Sequence, residues 1–258
     1  MRFILPFLGV LLLLCPTGTM AKTLFFDDFE DGVIDEKWDF TGNWEETDGY
    51  LACVESNVKF NYAIPDIPVE FHSKQITIQA KGKIIGVPWT RMGVAVRLMP
   101  RLDNAEARDG KPTGHLGYCL TTGENGPSDV RLLNEGVQWV NLNTPVRPQL
   151  DQWVWVQLTV TAEQELMAKV WLDGEEEPIN PTGNVKQWSK KDGTVVERNR
   201  PDGPAGLVGK ALEAWERGGA TPAYDEVEIW DADGRSERST AVESPGKLSL
   251  TWGNLKAL

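Results

Sequence analysis

One stretch constrains the fold more than any other: VWVQLTVTAEQELMAKVWLDG, Val154 to Gly174. Val154, Val156, Leu158 and Val160 alternate with polar or aromatic neighbours. After AEQE, the residues Leu166, Ala168, Val170 and Leu172 repeat the alternation. A period of two on both arms of a short polar turn predicts an antiparallel hairpin with one buried face. The same period recurs elsewhere. QITIQAKG places Ile76, Ile78 and Ala80 together, and RMGVAVRLM places Met92, Val94, Val96 and Leu98 opposite Arg91, Gly93, Ala95 and Arg97. In AYDEVEIWD, Val227 and Ile229 point one way and Glu226, Glu228 and Trp230 the other.

The 25 Gly and 16 Pro separate these runs as turn signals. Only GKALEAWERGG hints at helix, and it is short enough to be a loop or one or two turns. Short strands in a single run predict an all-β fold, two antiparallel sheets packed as a sandwich.

Both ends of the 258-residue chain depart from this pattern. Residues 1–21 combine Arg2, the apolar run FILPFLGVLLLL and a small residue at Ala21, which reads as a secretory signal peptide. The run is short for a membrane span, so no membrane association is expected after cleavage. Residues 22–233 form the predicted domain. Residues 234–247 read as a polar linker, and 248–258 as a tail that could serve as an edge strand, a sorting signal or a tether for a protein partner. A secreted product, extracellular or periplasmic, follows as the expectation. The formal charge of −12 argues against nucleic acid as a partner. Cys53 and Cys119 remain after cleavage. An oxidising compartment permits a bridge between them, two buried thiols are the alternative, and spacing does not choose.

Three fragments in order, DDFEDG near the start, TDGYLAC after it and YDEVEIW at the end of the domain, resemble the concanavalin A-like lectin/glucanase superfamily, which includes laminin-G-like jelly rolls. KVWLDGEEEP adds to the match. The resemblance implies a jelly roll whose first and last strands lie side by side in the convex sheet. It also implies a structural calcium held by Asp28, the carbonyl of Gly49 and Asp225. Calcium takes six to eight oxygen ligands, so carboxylates and a carbonyl suit it. On this reading the acids of FFDDFEDG are a metal seat plus turn; solvated turn residues are the alternative.

The glucanases of that superfamily carry E-x-D-x-E on one strand, since a period of two puts all three acids on one face. No such pattern is present: Glu226 and Glu228 are followed by Trp230. The two histidines, His72 and His115, accompany no G-x-S-x-G turn, and no zinc spacing or phosphate loop appears. No catalytic residue is assigned. Secreted bacterial jelly rolls that act on 3-keto-disaccharides are a second resemblance, with FEDGVIDEKW only a loose echo of their opening.

Eleven Trp is a high count. Sugar rings stack on aromatic faces, and their hydroxyls need planar polar partners. Core packing is the competing use of each Trp. The candidate carbohydrate-binding residues are Trp89, Arg91, Arg97, Tyr118, Arg131, Trp139 and Trp155, on the concave sheet. A lectin-like carbohydrate binder, a glycoside-processing hydrolase of the same fold and an adhesion module are the three functions these residues leave in play.

Overall fold

In a computed structural model the hairpin forms in the expected register. β11 (Val154–Val160) and β12 (Leu166–Leu172) pair antiparallel, Val154 opposite Leu172 and Val160 opposite Leu166. Val156, Leu158, Val160, Leu166, Ala168 and Val170 are fully buried on the inner face. Each of the larger ones contributes about 1.5–3 kcal/mol. A net hydrogen bond is worth about 1 kcal/mol, so the apolar face fixes the register. The structure describes residues 23–34, 36–54, 60–86, 90–100, 115–123, 126–134, 138–142, 144, 146–185, 202–210, 219–232 and 234. The predicted signal peptide, the body of the GKALEAWERGG segment, nearly all of the linker and the tail lie outside them.

The remaining strands run in chain order as β1 (Thr23–Asp27), β2 (Trp38–Phe40), β3 (Trp44–Thr47), β4 (Tyr50–Cys53), β5 (Asn61–Pro65), β6 (Ile76–Gly86), β7 (Arg91–Pro100), β8 (His115–Gly123), β9 (Gly126–Asn134), β10 (Gln138–Asn141), then after β12 β13 (Gly183–Val185), β14 (Gly206–Lys210) and β15 (Ala220–Asp231). A single 3-10 turn, Val69–Phe71, interrupts the strands among the described residues.

Two antiparallel sheets result. The eight-stranded sheet has the order β13-β12-β11-β6-β15-β4-β3, with β1 also beside β15. The seven-stranded sheet has the order β10-β9-β8-β7-β14-β5-β2. The core lies between them: Ile78, Val156 and Val227 from one sheet meet Val94, Leu120 and Leu207 from the other.

The first and last strands meet, as the resemblance implies. β15 pairs with β6 along its length. Its other edge takes β4 at Ala223 and Tyr224, then β1 from Val227 to Trp230. At the change of partner the register slips between Tyr224 and Glu226, leaving Asp225 at the irregularity. TDGY closes the β3–β4 hairpin: Asp48 and Gly49 both have positive φ, 52° and 76°, as a tight two-residue turn requires.

Candidate functional site

The strands of the seven-stranded sheet set two rows side by side on the face turned away from the core. Register alone aligns Tyr62, Val208, Gly93, Thr121, Arg131 and Asn141 across six strands. Their strand neighbours Val94, Leu120 and Leu132 are in the intersheet core, so this row faces outward. The next row, Gly206, Ala95, Cys119, Leu133 and Trp139, is apolar. Ala95, Cys119 and Leu133 join Tyr62, Leu98 and Val208 in a second buried cluster. Beyond the polar row, Lys210 is opposite Arg91. The Arg91 guanidinium is centred 5.0 Å from the Phe60 ring. Arg91, Arg131 and Lys210 are half-buried and Asn141 is exposed. Together they form a cationic, hydrogen-bonding strip, and the apolar row beside it is buried.

The predicted carbohydrate set is only partly assembled here. Arg91 and Arg131 lie on the strip. Trp139 takes a register position in it, opposite Leu133, while its side chain and all of Trp89 lie outside the described residues. Tyr118 is 3% exposed and belongs to the intersheet core, one residue out of phase with the outer face.

Arg97 is fully buried, which corrects its expected place beside Arg91. Its φ of 56° and a register shift between Val96 and Met99 mark a bulge, and a bulge re-aims side chains. Leu98 is thereby moved from the predicted core face to the outer cluster. The Arg97 guanidinium donates to the carbonyls of His72 and of Lys74, the latter at 2.6 Å. Burial pulls its pKa down, with Asp202 opposing, yet an arginine stays charged. It is a clamp on the turn that follows Val69–Phe71.

Trp155 lies on the other sheet. It stacks on Trp171 with centroids 5.9 Å apart and planes 9° apart, and its indole N–H donates to Asp173 at 3.0 Å. The outer face of the eight-stranded sheet is a polar ladder. Thr77 and Thr159 share a 2.8 Å hydroxyl bond, the Gln157 amide donates to Gln79 at 3.0 Å, and Thr23 donates to Glu228 at 3.0 Å. Lys81 heads this ladder, 2.7 Å from Asp225 and 3.4 Å from Asp173. Burial works to lower its pKa, but hydrogen bonding and charge from Asp225 and then Asp173 outweigh burial, and the net direction is upward. Sequence reasoning missed Lys81; its alternation with Gln79 in QAKG was the available signal.

The acids of FFDDFEDG serve the backbone. Asp27 accepts from the Phe29 N–H at 3.0 Å and from the Trp38 indole N–H at 2.8 Å. Asp28 accepts from the Glu30 N–H at 3.4 Å and Asp31 from the Val33 N–H at 3.1 Å. Each of the three backbone bonds spans two residues, the pattern of an Asx turn. Gly49 stands next to Glu30: a Cβ added there would be 3.6 Å from its carboxylate. Pairing brings the backbones of Asp28, Gly49 and Asp225 to one junction, but the donor set does not fit calcium. Asp225 is taken by Lys81, Asp28 is turned to its own turn, and among the described residues no group of three or more His, Cys, Asp or Glu is placed to hold a metal.

Cys53 and Cys119 are buried thiols outside any disulfide. Cys53 belongs to the intersheet core and Cys119 to the outer cluster, so a sheet stands between them and, of the two alternatives, the buried thiols are found. At the β2–β5 edge a cleft of 370 Å³ is lined by Glu36, Asp39, Asp66 and His72 over apolar residues such as Ile64 and Pro204. The Nε2 of His72 is buried there without a hydrogen-bond partner.

No protein-family model and no curated protein matches the chain. Solved structures do. The exoplasmic/lumenal domain of VIP36, determined in a form bound to Ca2+ and Man3GlcNAc, is similar over 87% of this chain and 95% of its own, with TM-score 0.52 and 12% identity. The carbohydrate recognition domain of Emp47p is similar over 82% and 97%, with TM-score 0.49 and 12% identity. The catalytic domain of an endo-1,3-beta-glucanase (laminarinase) from Thermotoga petrophila is similar over 82% and 98%, with TM-score 0.47 and 14% identity. Two antiparallel sheets, paired first and last strands and the likeness to the VIP36 domain together identify the fold as the concanavalin A-like jelly-roll sandwich.

Proposed function

We propose that the chain is a secreted, lectin-like protein that binds extracellular carbohydrate on the outer face of its seven-stranded sheet. One observation carries this reading: strand register sets the half-buried Arg91, Lys210 and Arg131 and the exposed Asn141 on one outer face. Sugar hydroxyls need planar polar partners of this kind, and bidentate partners such as arginine add orientation. The sheet that holds the first and last strands corresponds to the convex one in the resemblance, which makes this face the concave one. The sugar-bound form of the VIP36 domain supports the ligand class. The secretory reading rests on residues 1–21.

The β2–β5 cleft favours one second reading, a glycoside-processing hydrolase, because three carboxylates and the unpartnered His72 nitrogen line it. Two carboxyl groups flanking one bond are what such chemistry needs. A glycan array run with a parallel reducing-sugar assay separates the two. The binding reading expects retention of a glycan without product. Release of reducing sugar, abolished in Asp39→Asn or Asp66→Asn, would assign the enzyme instead, and neither retention nor release would overturn both.

A further inference from the structure

The concanavalin A-like resemblance implies a calcium ion at the junction of the first, fourth and last strands, and the side chains there are arranged for something else. Asp225 sits where β15 exchanges β4 for β1. Its carboxylate is 2.7 Å from the Lys81 ammonium. The same ammonium is 3.4 Å from Asp173, whose other oxygen holds the Trp155 indole N–H, and 5.4 Å from the Trp153 ring centroid. One charge thus touches β15, β6, the turn after β12 and the segment entering β11. An ammonium has three protons to give, and two carboxylates and an aromatic face meet that demand. Calcium asks for six to eight oxygens. The Asp28 carboxylate that would join such a shell is bonded to the Glu30 N–H two residues on.

We infer that Lys81 is the resident cation of this domain: its ammonium, carried covalently on β6, takes the place beside Asp225 that the resemblance gives to calcium. A calcium ion on the same carboxylate would stand against the ammonium, with like-charge repulsion in a partly buried setting. The closure that joins the first and last strands therefore does not depend on metal. The inference is independent of the carbohydrate reading and fails or holds separately from it.

The test is thermal unfolding of the purified full chain in excess EDTA and in millimolar Ca2+, with inductively coupled plasma analysis of bound metal. The melting temperature is expected to agree between the two conditions, and no stoichiometric calcium is expected to co-purify. A resident ion at a hundredfold excess over its Kd would raise the melting temperature by about 5–10 °C, and that result would overturn the inference. Lys81→Met and Asp225→Asn are each expected to lower the melting temperature, and the double variant to lose well less than the sum of the two single losses. Additive losses, or none, would also overturn it. Should Lys81→Met fail to fold, the chelation and metal analysis of the wild type still decide.

Discussion

Tyr224 on β15 reaches across the core to the other sheet and binds the backbone of Gly93. The Gly93 N–H donates to the Tyr224 hydroxyl at 2.8 Å, and the hydroxyl is within 3.1 Å of the Gly93 carbonyl and also contacts the Val208 carbonyl. Gly93 and Val208 are opposite each other on β7 and β14. A hydroxyl from one sheet is thus built into the strand pairing of the other. The ring is fully buried and its hydroxyl pKa is pushed well up by burial.

Removing that hydroxyl leaves a buried N–H without its acceptor. Tyr224→Phe is expected to lose about 1–3 kcal/mol. The check is urea denaturation: the midpoint should fall while the slope holds. An unchanged midpoint would mean the hydroxyl is not part of the pairing.

Arg97 is a clamp, so its loss should show in stability and leave ligand recognition untouched. Arg97→Lys cannot reach both the His72 and Lys74 carbonyls with a planar fork. A loss of about 1.5–3 kcal/mol is expected. Chemical denaturation measures it. Wild-type stability in Arg97→Lys would mean that the two carbonyl contacts do not hold this turn.

Glu46 sets a pH dependence. Burial raises its pKa above the ordinary glutamate value, and Asp31 and Asp27 add to this, while the Gly32 and Val33 N–H groups oppose it. The folded state therefore holds this proton more tightly than the unfolded state. Stability falls as pH rises from the unfolded value through the raised folded one. Glu46→Gln should be more stable than wild type at pH 7, and the difference should vanish in acid below that window. A melting-temperature series against pH checks it; a Gln variant less stable at pH 7 would reverse the sign.

Much of this was legible in the sequence, and the limits are physical. Val156, Leu166 and Val227 declared their faces because a strand's period of two is local. The same logic failed at Leu98, since a bulge at Arg97 shifts the phase and nothing in RMGVAVRLM announces it. Trp155 showed which face it occupies but not which sheet, since that depends on pairing with Lys81 and Trp171. The Lys81–Asp225 pair joins strands far apart in sequence, and so does the Arg97 clamp on Lys74. Charge pairing at that range is not written in spacing.

The central claim, that sugar is bound on the outer face of the seven-stranded sheet, is tested most directly by affinity for an array-identified glycan across three variants. Arg131→Ala and Asn141→Ala should each weaken binding by about tenfold or more, in line with loss of a charged or polar contact. Trp155→Ala, on the opposite sheet, should bind as wild type does. Loss of affinity in Trp155→Ala with Arg131→Ala and Asn141→Ala unaffected would contradict the account and move the site to the eight-stranded sheet.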